Sequence, residues 1–235
     1  MNKILVVNGA SYFKAVKNLA DYSNDIGHFM KKPSDFSLVL FTGGEDISPE
    51  LYGETSPKGV CSYSIERDIY EKNIFNHAVK HSVKMTGICR GIQFLNVMAG
   101  GKMIHHLNAH GGCMHEMSTS REEKVQVNSY HHQMVLPPKD AVIIGWASEI
   151  RSNVYIGDKD LEVKPPSKEI EAVIYPNINA AGVQYHPEMM EVTSSGYKWY
   201  EQLVNDLMQT ESMEELINQY TSTGDQKCNV TMCAV

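Results

Sequence analysis

Two short stretches of this sequence carry side chains able to form and break covalent bonds. The first is Val83-Lys84-Met85-Thr86-Gly87-Ile88-Cys89-Arg90-Gly91-Ile92-Gln93-Phe94-Leu95-Asn96-Val97. It opens as a β-compatible run, and from Ile92 its apolar residues, with Leu95, Met98 and Ala99, recur as in a packed helix. A strand that turns sharply into a helix holds its turn residue in strained backbone geometry. Such a turn needs small neighbours, which Gly87 and Gly91 supply. The side chain at the turn is presented above the sheet at the positive end of the helix, where a thiolate is favoured. Taken alone, the stretch leaves two readings of Cys89: a nucleophile, or a buried thiol of the common kind.

The second stretch is Ala180-Ala181-Gly182-Val183-Gln184-Tyr185-His186-Pro187-Glu188. Residues two apart on a strand point to the same side, so His186 and Glu188 are expected together. The carboxylate can hold one imidazole nitrogen while the other faces a thiol, which is the base and orienting group that a cysteine nucleophile requires. Pro187 has no N–H to give a ladder, so the strand must end there, at a crevice. Set beside Gly-x-Cys-x-Gly, this pair decides the reading of Cys89 in favour of a Cys89–His186–Glu188 triad.

The elements that must position these residues alternate through the first hundred positions. Ile4 to Val7 reads as a strand buried on both faces. A helix is expected over Ser11 to Tyr22, with Phe13, Val16, Leu19 and Ala20 on its stripe. Phe36 to Phe41 is a strand that ends at Gly43-Gly44, where backbone N–H groups can point into a ligand crevice or simply form a tight turn. An irregular excursion over 50–61 precedes a helix from Ser64 to His81, whose expected apolar stripe is Ile65, Ile69, Ile74, Phe75, Ala78 and Val79. This alternation predicts a parallel sheet with helices on both faces.

Beyond Lys102 the pattern changes. His105, His106, His110, Cys113 and His115 crowd one segment, but Thr119 stands where a His-Glu-x-x-His helix would need its second histidine. The histidines are therefore read as polar site surroundings or loop residues, with no metal site. Val125 to Asn128 alternates like a strand and runs into Ser129-Tyr130-His131-His132-Gln133, either a polar substrate pocket or a solvated turn. Strands follow over Ala141–Ala147, Asn153–Ile156, Ile170–Tyr175 and Ala180–Tyr185, then helices over Ser194–Met208 and Met213–Tyr220. The expected organisation is one domain over 1–209, followed by a short helix and a mobile tail over 210–235.

Composition bounds the function classes. The 235 residues are 42% hydrophobic and 21% charged, as in an ordinary globular chain. A net charge of -7 gives no basic footprint for nucleic acid. No apolar run is long enough for a membrane span, and the N-terminal apolar run is too short for a signal peptide. The five cysteines are scattered and odd in number, which points to free thiols in a reducing cytoplasm.

In ordered pieces from Phe36 to Met189 the sequence resembles the class I glutamine amidotransferase superfamily. Within it the chain is most similar to the γ-glutamyl hydrolase branch, the peptidase C26-like enzymes that include γ-glutamyl-GABA hydrolase. The pieces are Phe41-Thr42-Gly43-Gly44-Glu45-Asp46-Ile47-Ser48-Pro49-Glu50-Leu51-Tyr52-Gly53, Glu66-Arg67-Asp68, the stretch around Cys89, Val127-Asn128-Ser129-Tyr130-His131-His132-Gln133, and Gly182 to Glu188. The segment between Gly9 and Phe36 is shorter than is usual in that branch. The resemblance implies a flavodoxin-like three-layer α/β sandwich, its central sheet mostly parallel, plus a smaller antiparallel β segment.

It further implies Cys89 as nucleophile, His186 as general base then acid, and Glu188 as its orienter. The backbone N–H groups of Gly44 and Arg90 would form an oxyanion hole. Gln93, Asn128, Ser129, Tyr130, His131, His132 and Gln133 would lie near the substrate. The expected reaction is hydrolysis of a γ-glutamyl amide through a thioester, with no metal and no cofactor. Two alternatives are a glutaminase supplying ammonia to a separate synthetase subunit and a catalytically silent binding module. The expected partner is a small γ-glutamyl molecule, not nucleic acid or membrane, and homo-oligomer formation is left open.

Overall fold

The computed structural model describes residues 3–221. Its strands are β1 (Lys3–Val7), β2 (Asp21–Ser23), β3 (Phe36–Phe41), β4 (Lys84–Ile88), β5 (Lys102–Ile104), β6 (His106–Leu107), β7 (Gly111–Thr119), β8 (Lys124–Tyr130), β9 (Met134–Leu136), β10 (Val142–Ala147), β11 (Tyr155–Ile156), β12 (Ile170–Tyr175) and β13 (Ala180–Val183). The helices are α1 (Ile26–Lys31), α2 (Ile65–Lys80), α3 (Arg90–Met98), α4 (Ser195–Gln209) and α5 (Met213–Tyr220).

Nine strands form one sheet in the order β2-β1-β3-β4-β13-β12-β10-β7-β8. From β2 to β13 every pairing is parallel, and from β13 to β8 every pairing is antiparallel. Strands β1, β3 and β4 are short apolar runs buried on both faces, as parallel strands under helices must be. Phe29, Ile74, Phe75, Ile92 and Phe94 from α1, α2 and α3 close one side of the sheet. Tyr197, Tyr200, Leu203, Leu207, Leu216 and Tyr220 from α4 and α5 close the other. The chain is thus a flavodoxin-like α/β sandwich of three layers whose main sheet is mixed, four strand pairings parallel and four antiparallel. Strands β5 with β9 and β6 with β11 form two small separate antiparallel sheets.

Four local expectations change. Residues 11–22 do not form a helix: Ala10–Ala15 is a 3-10 turn, and the chain then enters β2 as an edge strand on β1. Asp25 starts α1 instead, its side chain accepting the His28 N–H at 2.8 Å. The histidine-rich segment forms β5, β6 and the nine-residue β7, because its histidines are buried against acidic partners. On α2, Ile65, Ile69 and Val79 are exposed, while Asp68 and Glu71 share the buried face with Ile74, Phe75 and Ala78. Finally, β13 stops at Val183, short of the expected Tyr185. Of the segment expected over 210–235, α5 packs onto α4, with the Tyr220 hydroxyl on Asp206 at 2.9 Å; the expected tail lies outside the described residues.

Candidate active site

Cys89 sits between β4 and α3 at φ 53 and ψ -110, a left-handed conformation that L side chains rarely adopt. Its neighbours explain how that turn survives. A Cβ on Gly91 would overlap the Phe41 carbonyl, and one on Gly87 would overlap the backbone of Gly91, so neither position admits a larger residue. The Cys89 N–H donates to the Val183 carbonyl at 2.9 Å, tying the turn to the end of β13. The thiol therefore stands at the N-terminus of α3, at the carboxyl ends of two parallel strands.

His186 comes from the other side of that pair. After β13 the chain enters a 3-10 turn, Pro187–Met189, with the proline at its first position, where a missing N–H costs nothing. This turn, not strand alternation, brings His186 and Glu188 together. The His186 Nδ1 lies 2.6 Å from Glu188 Oε1, the pairing expected of an orienting carboxylate. Asn128 on β8 clamps the His186 backbone from both sides: its amide donates to the His186 carbonyl at 2.9 Å, and its oxygen accepts the His186 N–H at 2.8 Å. The imidazole packs near the rings of Tyr12 and Tyr130, at centroid distances of 6.4 and 6.0 Å.

Burial alone would push the His186 imidazole down, but the neighbouring Cys89 and Glu188 outweigh it and hold it up to about 10. Nε2 of His186 makes no hydrogen bond of ordinary geometry at rest. Cys89 still raises the imidazole both by hydrogen bonding and by its charge. The thiol therefore lies within reach of the ring, and the contact would tighten with substrate, as is common in unliganded sites.

The Gly43–Gly44 loop lies beside the His186 ring: a Cβ on Gly43 would come within 3.1 Å of its Cε1. Gly44 has φ +141, and a Cβ there would collide with the Arg67 guanidinium. Arg67 donates to the carbonyls of Gly43 at 2.9 Å and Thr42 at 3.2 Å, and its Nε bonds Glu71 at 2.9 Å. Glu71 also takes the Asn8 amide at 3.0 Å and one arm of the Arg90 guanidinium. The other arm of Arg90 bonds Asp68 at 2.6 Å, and Asp68 accepts the Ser48 N–H at 2.9 Å. Two arginines and two carboxylates thus bind α2, the elbow and the glycine loop into one buried network.

The remaining residues singled out in the sequence are placed as follows. Gln93 reaches the Gln133 carbonyl at 3.4 Å, and the Ser129 hydroxyl donates to the His110 carbonyl at 2.8 Å. His131 uses Nδ1 on the Gln133 carbonyl at 2.9 Å, and Gln133 donates to Cys61 Sγ at 3.2 Å and to the His105 carbonyl at 3.1 Å. These groups are buried and engaged within the chain. Tyr130 is half exposed beside His186, and the partly exposed His132 contacts Asp46 at 3.0 Å and His106 at 3.2 Å. The structure thus gathers Cys89, Glu188, Asn128 and Tyr130 around His186, whereas His131 and Gln133 make their bonds within the interior.

Sequence reasoning did not assign site roles to Tyr12, Arg67, Asp68 or Glu71. A signal for the acids existed: positions 68, 71, 75 and 78 fall on one helical face, so two carboxylates are aligned with apolar residues and need cations. Tyr12 carried no such signal, because its place depends on the unexpected 3-10 turn.

A second grouping of the same residue types lies nearby. His105 Nε2 contacts Glu54 at 2.8 Å, its Nδ1 makes no hydrogen bond of ordinary geometry among the described residues, and Tyr52 meets its ring edge-on. Burial opposes its protonation, but Cys61 and then Glu54 push the imidazole up to about 9.

Residues 19–124 match the Peptidase C26 family. The protein NtpR of Enterococcus hirae is 26% identical over 180 residues, covering 67% of this chain and 69% of its own length. A Lactococcus lactis chain named "Putative glutamine amidotransferase-like protein YvdE" is 30% identical over 117 residues, 41% of this chain and half the length of the relative. Among solved structures, a glutamine amidotransferase from Thermotoga maritima superposes with a TM-score of 0.57 at 14% identity, covering 93% of this chain and 98% of that one. A strained cysteine elbow, a facing histidine–glutamate pair and these relatives together support assigning the chain to the class I glutamine amidotransferase-like superfamily.

Proposed function

We propose that the chain hydrolyses a γ-glutamyl amide by cysteine-dependent catalysis. The observation that carries this reading is the His186–Glu188 pair at 2.6 Å beside a cysteine locked in a strained elbow. In the proposed cycle the Cys89 thiolate attacks the side-chain carbonyl carbon of the γ-glutamyl group. Negative charge collects on the carbonyl oxygen, where the N–H groups of Gly44 and Arg90 would receive it, each contributing about 3 kcal/mol to lowering the barrier. The Arg90 N–H belongs to the first turn of α3, whose donors have no partner within the helix. The C–N bond then breaks as His186 gives its proton to the leaving amine, producing a γ-glutamyl thioester. Water, deprotonated by His186, attacks the thioester; glutamate leaves and the thiol is restored.

Glu188 would keep the imidazole in register throughout, and Asn128 would fix its backbone. Tyr130 and His132, the exposed members of the polar patch, are the side chains of that patch best placed to meet the amino-acid end of the substrate. The test is glutamate release from a panel of γ-glutamyl amides, with mass spectrometry of the intact chain to trap a glutamyl adduct on Cys89. Turnover by Cys89→Ala at the wild-type rate would overturn the proposal.

A second reading is favoured by the glutamine amidotransferase names of the relatives. On this reading glutamine is the substrate and the ammonia goes to a separate synthetase. The same panel separates the two: a chain far faster on glutamine than on larger γ-glutamyl amines, and accelerated by a partner, would be an ammonia donor.

A further inference from the structure

The antiparallel half of the sheet buries ionisable groups that the proposed hydrolysis does not use. His110 just before β7, His115 on β7, His131 after β8, Glu169 just before β12 and Glu171 on β12 are each at most 5% exposed. Glu171 Oε1 is the hub, with His115 Nε2 at 3.0 Å, His110 Nδ1 at 3.6 Å and His131 Nε2 at 3.6 Å. Ligand atoms of His110, His115 and Glu171 lie within 4.8 Å of one another. Among the described residues, the ion-pair partners of Glu169 and Glu171 are all histidines.

Three observations point to a cation at this hub. First, among the described residues, both ring nitrogens of His115, Nε2 of His131 and both carboxylate oxygens of Glu171 are buried without a hydrogen bond of ordinary geometry, the 3.0 Å approach of His115 Nε2 to Glu171 Oε1 included. Such atoms are costly to leave poorly satisfied. Second, the far sides of two rings are already spoken for: His110 Nε2 meets Glu169 at 3.1 Å, and His131 Nδ1 donates to the Gln133 carbonyl at 2.9 Å. A neutral His131 therefore turns an Nε2 lone pair toward a carboxylate that also offers only lone pairs, an arrangement that a cation between them resolves. Third, ligand atoms around a tetrahedral zinc ion, with bonds of about 2.0–2.2 Å, are separated by about 3.4 Å. The contacts to Glu171 Oε1 of 3.0 to 3.6 Å bracket that separation.

We propose that His110 Nδ1, His115 Nε2 and Glu171 bind one divalent transition-metal ion, zinc by ligand preference, with His131 Nε2 as the fourth ligand. The contact of His110 Nδ1 with the Ser129 hydroxyl, 3.1 Å in this geometry, would give way to the ion. Glu169 is the outer carboxylate that fixes the His110 ring, itself held by the backbone N–H groups of Arg151 and Ser152 and by the Tyr155 hydroxyl. Four protein ligands make a closed, structural site, not an open catalytic one. The ion would pin the end of β8, three residues beyond the Asn128 that clamps His186, so these ligands act as positioning residues. The inference goes beyond the proposed hydrolysis and stands whether or not that reaction occurs.

The test uses the full chain, incubated with zinc sulfate, freed of unbound metal by gel filtration and assayed for zinc by mass spectrometry. Cys89→Ser is the control for zinc held at the elbow thiol. Wild type and Cys89→Ser should retain about one zinc per chain and His115→Ala and Glu171→Gln under about a tenth, since removing a ligand abolishes a closed site. The thermal midpoint of wild type should fall on chelation and recover with zinc, and that of folded Glu171→Gln should not respond. Should both variants fail to fold, titration of folded Cys89→Ser against a chromogenic zinc chelator decides, one equivalent supporting the site and none overturning it. Wild type without zinc, or metal lost in Cys89→Ser but kept in Glu171→Gln, would also overturn it.

Discussion

Cys61, His105 and Glu54 reproduce the cast of Cys89, His186 and Glu188, and even the local spelling is shared: Gly59-Val60-Cys61 beside Gly87-Ile88-Cys89. In each group a carboxylate takes one imidazole nitrogen, at 2.8 and 2.6 Å, while the other nitrogen makes no hydrogen bond of ordinary geometry among the described residues. In each, a nearby cysteine and the carboxylate raise the imidazole against the effect of burial. The difference is in the backbone. Cys89 occupies a left-handed turn at a helix N-terminus, beside a glycine loop. Cys61 lies in an irregular segment, not itself at positive φ, and its sulfur accepts the Gln133 amide at 3.2 Å. Residue types alone therefore do not make a nucleophile; the turn that presents the sulfur and the donors that receive charge do.

The largest expected contrast is in turnover. Cys89→Ala should lower glutamate release by at least about 10,000-fold, the usual scale for losing a triad nucleophile, whereas Cys61→Ala should stay within about threefold. Comparable losses in both would abolish the distinction. Next come the orienting acids: Glu188→Gln should reduce kcat by about 1,000- to 10,000-fold by leaving the imidazole misoriented, and Glu54→Gln should leave kcat nearly unchanged.

Third is the cost of a methyl group at the two turns. Gly91→Ala drives a Cβ into the Phe41 carbonyl and should cost about 3 kcal/mol or more in urea unfolding. Gly59→Ala meets no neighbour within 4 Å and should cost only about 1 kcal/mol, the penalty of its φ of +73.

The smallest effect is on proton binding. Both imidazoles are held above their ordinary value, so the folded chain favours their charged forms. The stability this provides is complete below about pH 6.5. It is lost as pH rises through about 9 for His105 and about 10 for His186. Cys89→Ala should move the His186 titration down and leave His105 in place, and Cys61→Ala should do the reverse, as read by NMR of the imidazole protons. A shift of both rings in either variant would show the two groups to be one coupled system.

The elbow was legible in the sequence because its requirement is local: two glycines flank one cysteine between an apolar run and a helical stripe. The histidine–glutamate pair was also legible, although for a different reason from the one that operates. Alternation along a strand predicted the pairing, but a proline-initiated turn produces it. The network on α2 was read as an apolar stripe because Ile65 and Ile69 match helical spacing. Which face turns inward was settled instead by Arg90, whose buried guanidinium needs Asp68 and Glu71. Strand β7 was unreadable for a related reason: His115 on it and His110 just before it resemble a polar loop until Glu171 and Glu169 from distant β12 and its approach are placed opposite them. Both misses involve charges neutralised across long sequence separations, which no local pattern encodes.

The four-charge clasp of Arg67, Glu71, Arg90 and Asp68 has a mechanical meaning. Because α2 grips the cysteine turn through Arg90 and the Gly43–Gly44 loop through Arg67, a displacement of that helix carries both loops in the same direction. Thermal excursions of the outer layer then become shared translations, and the gap across which an oxygen would be captured keeps its width while its surroundings move.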